Sequence, residues 1–229
     1  MRSVLAAFVW LLLLIGPLAG QTPDSLALPT CGRLACAPDA LQRDVDLLMW
    51  AYGNPYGSVS LGKIDDLSYA TFVAIPFGLS VYGAASNGDL RPAVRIGVSQ
   101  VVSTGLVLVL KRSQARPRPF RSGLVRRRGS VLDSLVLTHD NGSFPSGHAT
   151  LAFTAATSLA LSVDLWYVTL PAYGWATAVA WARLRQGVHY PSDVLAGAAL
   201  GFTTAAIVHV LMPDGLGAEV PIFSLRVRL

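Results

Sequence analysis

Three short fragments carry residues suited to phosphate chemistry: Lys111-x6-Arg118-Pro119, Pro145-Ser146-Gly147-His148 and Arg183-x5-His189-x3-Asp193. Between them they supply three permanent cations, two imidazoles, a carboxylate and a hydroxyl beside a glycine. Displacement at a phosphate ester spreads negative charge over the equatorial oxygens, and cations fixed against those oxygens supply much of the catalysis. Arg118 and Arg183 suit two-point contact through the planar guanidinium, and Lys111 suits one strong charge-assisted bond. No carboxylate cluster for Mg²⁺ or Zn²⁺ accompanies them in the sequence, so the expected reaction needs no metal and no other cofactor.

The second and third fragments each stand where a helix should begin. Pro145-Ser146-Gly147-His148 directly precedes an apolar run from Ala149. Ser146 and Gly147 are therefore expected at a helix N-terminus, where backbone N–H groups point at an anion, the glycine permits close approach, and His148 faces the same pocket. Pro191 fits the first turn of the following helix, and Asp193, four residues after His189, can accept from one imidazole nitrogen and orient the other. That pairing describes a histidine nucleophile with its orienting carboxylate. Each fragment alone has a bland reading as a basic loop, a helix cap or a helical pair; together, in this order, they read as a catalytic set.

These fragments need a scaffold, and the composition says which kind. With 52% hydrophobic residues, 14% charged ones and a mean hydropathy of +0.50, the chain is too apolar for an ordinary soluble globule. Five apolar stretches, Ala70–Ser86, Ile96–Leu110, Ala149–Val163, Leu165–Ala182 and Val194–Met212, approach the roughly 17–25 residues that cross a bilayer. Small residues such as Ala155, Ala156, Gly174, Ala178, Gly197, Ala198 and Gly201 recur on three of them and favour close helix packing; His209 reads as structural. The expected fold is all-α, a multi-pass transmembrane bundle of five core helices plus an N-terminal signal or sixth helix.

Residues 1–20, with Arg2, the apolar run Val4–Ile15 and Gly16-Pro17-Leu18-Ala19-Gly20, have the layout of a secretory signal or a retained first helix. Residues 21–64 are expected outside the cytoplasm or at the interface, 65–212 as the membrane domain and 213–229 as a tail. In the second of these segments Leu41, Val45, Leu48 and Met49 fall at helical spacing and lead into Trp50, Tyr52 and Tyr56. They describe an amphipathic helix with an aromatic anchor, or one covering the end of the bundle. Cys31 and Cys36 permit a small-loop disulfide in that compartment.

Helix parity then decides sides. If residues 21–69 lie outside, Lys111–His148 and Arg183–Asp193 all return to the outer face of the cell membrane, the periplasmic side in a Gram-negative envelope. The net charge of +5 is concentrated between Lys111 and His148, where Arg112, Arg116, Arg121 and Arg126-Arg127-Arg128 join the two cations of the first fragment against Asp133 and Asp140. A basic loop outside opposes the positive-inside tendency, but Lys111 and Arg118 have a chemical reason to be there, and the arginine run suits anionic headgroups. Nucleic acid is the weakest option for this patch and is not expected as a partner, since the patch lies between membrane-length segments and no binding module for it is visible.

The three fragments resemble the signatures of the type 2 phosphatidic-acid phosphatase superfamily, over about residues 65–212. The resemblance implies a helical bundle in which His189 attacks phosphorus to form a phosphohistidine, Asp193 orients it and His148 protonates the leaving oxygen. Lys111, Arg118, Ser146, Gly147 and Arg183 would bind the phosphate. Ala182 stands where the family often has serine, which removes a hydroxyl but no charge. The membrane branch of that superfamily implies a lipid phosphate or diphosphate as substrate: undecaprenyl diphosphate, phosphatidylglycerophosphate, phosphatidic acid or a lipid A phosphate. A lipid phosphotransferase using the same phosphohistidine is the alternative. A non-catalytic scaffold would have lost His189, Asp193 or His148, and all three are present.

Overall fold

The computed structural model describes residues 39–53, 60–86, 89–114, 116–128, 142–163 and 165–212, and those residues form six helices and no strand. Helix α1 spans Asp39–Tyr52, α2 Ser60–Ser86, α3 Arg91–Ser113, α4 Gly147–Ser162, α5 Trp166–Arg185 and α6 Pro191–Leu211. The expected signal or first helix, the Cys31–Cys36 pair, Tyr56 and the tail at 213–229 lie outside the described residues.

Each apolar stretch seen in the sequence becomes one of α2 to α6, with ends set by local chemistry. Ser146 caps α4 and accepts from Ala149 N, and Pro191 opens α6, where its missing N–H costs nothing. One boundary moves. Helix α2 begins ten residues before Ala70, and the polar residues of its first turns, Lys63 and Asp66, point outward while Ser68 is buried.

α4 and α6 form the most extensive interface of the bundle, with α5 and α3 against the other flanks of α4. Small side chains explain the closeness. A Cβ added at Gly197 would stand 2.6 Å from Ser146 O, and one at Gly201 would collide with Thr150 O, so α6 lies backbone-to-backbone on α4 as packing in lipid favours. Ser103 of α3 and Thr154 of α4 share a buried hydrogen bond of 2.8 Å, and Phe72 of α2 packs with Ala152 and Ala156 of α4 and Ala176 and Val179 of α5. At the end remote from the three fragments, Arg95 of α3 donates through Nε to Met212 O at 2.9 Å and so satisfies a terminal carbonyl of α6. The outer faces carry large apolar side chains such as Val73, Phe77, Val101, Leu170, Leu195 and Phe202, all more than half exposed, as a lipid-facing surface requires. Among the described residues two helices, α3 and α6, are long and apolar enough to cross a bilayer by length and composition.

Helix α1 does not span. Val45, Leu48, Ala51 and Tyr52 are buried against the end of the bundle, while Leu47, Met49 and Trp50 point outward. Trp50 meets the edge of Trp181 at a centroid distance of 5.8 Å. One face of this helix closes the bundle end, and the other leaves Trp50 largely exposed.

Candidate active site

All three fragments converge at one end of the bundle. Lys111 lies in the last turn of α3, Ser146 caps α4 and is followed by Gly147 and His148, Arg183 lies in the last turn of α5, and Asp193 is the third residue of α6. Backbone bonds tie these ends together: Ser146 N donates to Asp193 O at 3.0 Å, and Ser143 N to Arg116 O at 2.8 Å. Lys111 Nζ donates to Gly142 O at 2.7 Å and so fastens the end of α3 to the approach to α4.

His189 sits in the turn between α5 and α6, which Gly187 shapes with a φ of +69°. A Cβ at Gly187 would also stand 2.6 Å from Val125 Cγ2, so this turn demands glycine on two counts. Arg118 Nη1 lies 3.1 Å from His189 Nε2 and donates at 3.1 Å to Val188 O. A guanidinium only donates, so Nε2 is the accepting nitrogen and the ring proton resides on Nδ1. That nitrogen faces Asp193 Oδ2 at 3.6 Å, an electrostatic contact longer than a hydrogen bond. Burial first, then the positive charges of Arg118, Lys111 and Arg183, holds the His189 imidazole well below its ordinary titration range. At neutral pH the ring is therefore uncharged, with a lone pair on Nε2.

His148 opens α4 on the other side of the site, its ring edge-on to Tyr69 at 4.6 Å and to Phe72 at 6.1 Å. The charges of Arg183, Arg118 and Lys111 bear on this ring as they do on His189. Arg118 and Arg183 are almost wholly buried, at 1% and 0% exposure. Two buried guanidiniums, a lysine and a helix N-terminus around two imidazoles make a pocket that favours an anion. Among the described residues, no group of three or more His, Cys, Asp or Glu is arranged to hold a metal ion.

Five residues that the three motifs leave unspecified complete this end of the molecule. Ser143 donates through Oγ to Asp193 Oδ2, which also accepts from Tyr190 N at 2.8 Å as half of a capping box. Arg116 donates to Asp193 Oδ1 at 2.8 Å and to Asp44 Oδ2 at 2.6 Å, and Ser192 donates to Asp44. One signal for Arg116 was in the sequence: in Arg116-Pro117-Arg118-Pro119 each arginine precedes a proline, which favours extended backbone, and residues two apart in extended chain share a face. Arg118 accordingly reaches Val188 and His189, and Arg116 reaches Ser192 and Asp193 just beyond. No periodicity marks Asp44 or Ser143.

Comparison with known proteins places this arrangement. Over 114 residues the chain is 35% identical to the decaprenylphosphoryl-5-phosphoribose phosphatase of Mycobacterium tuberculosis, covering 49% of this chain and 56% of that protein. It is 32% identical over 114 residues to the undecaprenyl-diphosphatase of Sulfolobus acidocaldarius, covering 47% and 50%. The matches thus span about half the length of these relatives. A transmembrane PAP2-type phosphatidylglycerolphosphate phosphatase from Bacillus subtilis shares the fold, with a TM-score of 0.62 at 22% identity over 92% of this chain and 96% of that one. The described helices form a bundle of that fold. The family model of the PAP2 superfamily matches residues 92–215, more than half of the sequence and all three fragments, and the chain belongs to that superfamily.

Proposed function

We propose that the chain is an integral-membrane lipid phosphatase working through a phosphohistidine. His189 Nε2 attacks phosphorus, the bond from phosphorus to the leaving oxygen breaks, and His148 gives that oxygen a proton. Water then attacks the phosphohistidine, its proton passes to His148, and phosphate leaves with His189 neutral again. Arg118, Arg183 and Lys111 hold the phosphoryl oxygens as charge develops, with the Ser146 hydroxyl and the Gly147 backbone at the start of α4. Asp193 stabilises the Nδ1–H tautomer and the positive charge that grows on the ring. The observation that carries this reading is the 3.1 Å approach of Arg118 to the accepting nitrogen of a buried, neutral His189, because it sets a nucleophilic lone pair beside a phosphate-binding cation.

The lipid part of the reading has its own support. A shallow apolar groove opens between α2, α4 and α5, lined by Thr71, Phe72, Ile75, Ala155, Leu159, Ala172 and Trp175 among others. Phe72 also packs on the His148 ring, so the groove adjoins the site and leads to the lipid-facing surface. A hydrocarbon tail suits such a lining, and the names of two relatives point to polyprenyl-linked phosphates as the substrates to try first. The leader or first helix expected over residues 1–20, with helix parity counted from it, supports a site on the extracytoplasmic face.

Phosphate release by purified protein in detergent, against a panel of polyprenyl, glycerolipid and lipid A phosphates and diphosphates, tests this reading. Activity should survive EDTA, since fixed cations do the charge work, and vanadate should inhibit it. Acid quench should trap an acid-labile phosphoprotein that is lost in His189→Ala. Phosphoprotein persisting in that variant would assign the nucleophile elsewhere, and transfer to an added acceptor alcohol in place of phosphate release would mark a phosphotransferase.

A further inference from the structure

Arg116 runs alongside Arg118, but its guanidinium is committed to protein groups. It lies 3.9 Å from the Tyr190 ring centroid, Nη1 donates to Ser192 Oγ at 2.7 Å and Asp193 Oδ1 at 2.8 Å, and Nη2 donates to Asp44 Oδ2 at 2.6 Å. Asp44 of α1 closes the ring by accepting from Ser192 N at 2.9 Å and from the Ser192 hydroxyl. Asp193 is fully buried and Asp44 nearly so, at 0% and 8% exposure. One cation is thus shared by two buried carboxylates from helices far apart in the chain. Such charge-assisted bonds in a low-dielectric setting fix geometry strongly.

Asp193 divides its oxygens between two tasks. Oδ1 takes the Arg116 bond, and Oδ2 faces His189 Nδ1 at 3.6 Å while accepting from Tyr190 N and Ser143 Oγ. Pinning Oδ1 therefore sets the plane in which Oδ2 meets the imidazole. We propose that Arg116, held by Asp44, is a positioning residue for the His189–Asp193 pair, so that the docking of α1 on the bundle end aligns the nucleophile. The inference rests on His189 being the nucleophile. It makes α1 part of the catalytic apparatus as well as a cover, and it assigns Arg116 no contact with substrate.

The experiment measures kcat, KM and single-turnover phosphoprotein formation on full-length protein in detergent, with thermal melting to show that each variant is folded. The substrate is undecaprenyl diphosphate. Arg116→Gln should lower kcat and the rate of phosphoprotein formation on the order of 100-fold with KM unchanged, since misalignment of a reacting group by about 1 Å costs that much. Arg116→Lys should recover only part of the rate, because a point charge cannot span both carboxylates. Asp44→Asn should lose less, about tenfold, as the guanidinium keeps one anchor. In an Asp193→Asn background, Arg116→Gln should add little, because both changes act through one carboxylate. Arg112→Gln, on an exposed side chain, serves as the neutral control.

A raised KM with unchanged kcat in Arg116→Gln would make Arg116 a substrate contact and overturn the proposal. Full additivity with Asp193→Asn would also overturn it. If Arg116→Gln does not fold, Asp44→Asn and Arg116→Lys decide in its place, and wild-type kcat in both refutes the proposal. Phosphoprotein surviving in His189→Ala overturns the nucleophile reading itself. Its loss there, beside a wild-type rate in Arg116→Gln, overturns the positioning role alone.

Discussion

Replacing Gly197 by alanine should damage the site without touching any residue that performs chemistry. Its added Cβ would stand 2.6 Å from Ser146 O, 3.0 Å from Thr150 Oγ1 and 3.3 Å from Ala149 Cβ, whereas ordinary contact begins at 3.4 Å. The nearest obstacle is a helical backbone carbonyl that has no rotamer to escape into, so α6 and α4 must separate by about 0.8 Å at this level. Overpacking of this kind costs about 1–3 kcal/mol. The functional cost is steeper, because Gly197 lies one turn from Asp193, and the carbonyl it would strike belongs to Ser146, two residues before His148. A displacement approaching 1 Å between the two histidine-bearing ends should lower kcat about 10- to 100-fold. Gly201→Ala meets Thr150 O more closely still but lies a turn farther from the site, so it should lose more stability than Gly197→Ala for the same loss of rate. Gly174→Ala on α5, with nothing within 4 Å, is the control and should gain up to about 1 kcal/mol from helix propensity. Thermal unfolding in detergent and phosphate release on a lipid phosphate measure the two quantities. Wild-type melting and turnover in Gly197→Ala would show that the close approach of α4 and α6 does not hold the site in register.

Three further outcomes are expected. Because His189, as the proposed nucleophile, must be neutral to attack and is held well below its ordinary range, phosphoprotein formation from a diphosphate substrate should persist as pH falls through about 6.5; an acid limb at or above that value would contradict the environment described. The same shift fixes the sign of the stability dependence: the unfolded chain takes up the His189 proton first, so stability falls as pH drops below about 6.5, and His189→Gln should remove that contribution from the pH dependence of melting. Ala172→Leu, which fills the groove from α5, should raise KM at least about tenfold for a long-chain lipid phosphate and leave a short water-soluble ester unaffected; equal effects on both would remove the groove from tail binding. In a background with Cys31→Ser and Cys36→Ser, Arg121→Cys should react with a membrane-impermeant thiol reagent in intact cells and Arg91→Cys, at the opposite end of the bundle, should not; the reverse pattern would place the site on the cytoplasmic face.

The legible parts of this protein were those in which chemistry and periodicity are local. An apolar stretch bounded by Ser146 or Pro191 announces its own helix start, and helix parity follows from the order of such stretches, so the meeting of the three fragments at one end was readable in the sequence. The start of α2 was not readable, because Lys63 and Asp66 break the apolar run while remaining compatible with a helix whose first turns face outward. The partners of Asp193 were hidden for a different reason. The bond from Arg116 spans 77 residues and the one from Ser143 spans 50, and Asp44 stands 148 residues from the Ser192 that it engages. No propensity or spacing rule links residues so far apart.

What made part of that network inferable is the Arg116-Pro117-Arg118-Pro119 alternation. Two arginines on one face of an extended segment must address neighbouring targets, and the segment runs past the turn that carries His189 and Asp193. Arg118, the member opposite Val188 and His189, is the one that the phosphatase signature singles out. Arg116, opposite Ser192 and Asp193, falls among its unspecified positions. Yet the carboxylate beside His189 is buried, and a buried carboxylate keeps both charge and orientation only against a fixed cation. With Arg118 directed at the imidazole, that cation is Arg116, and its second carboxylate, Asp44, draws an otherwise separate helix into the geometry of the site.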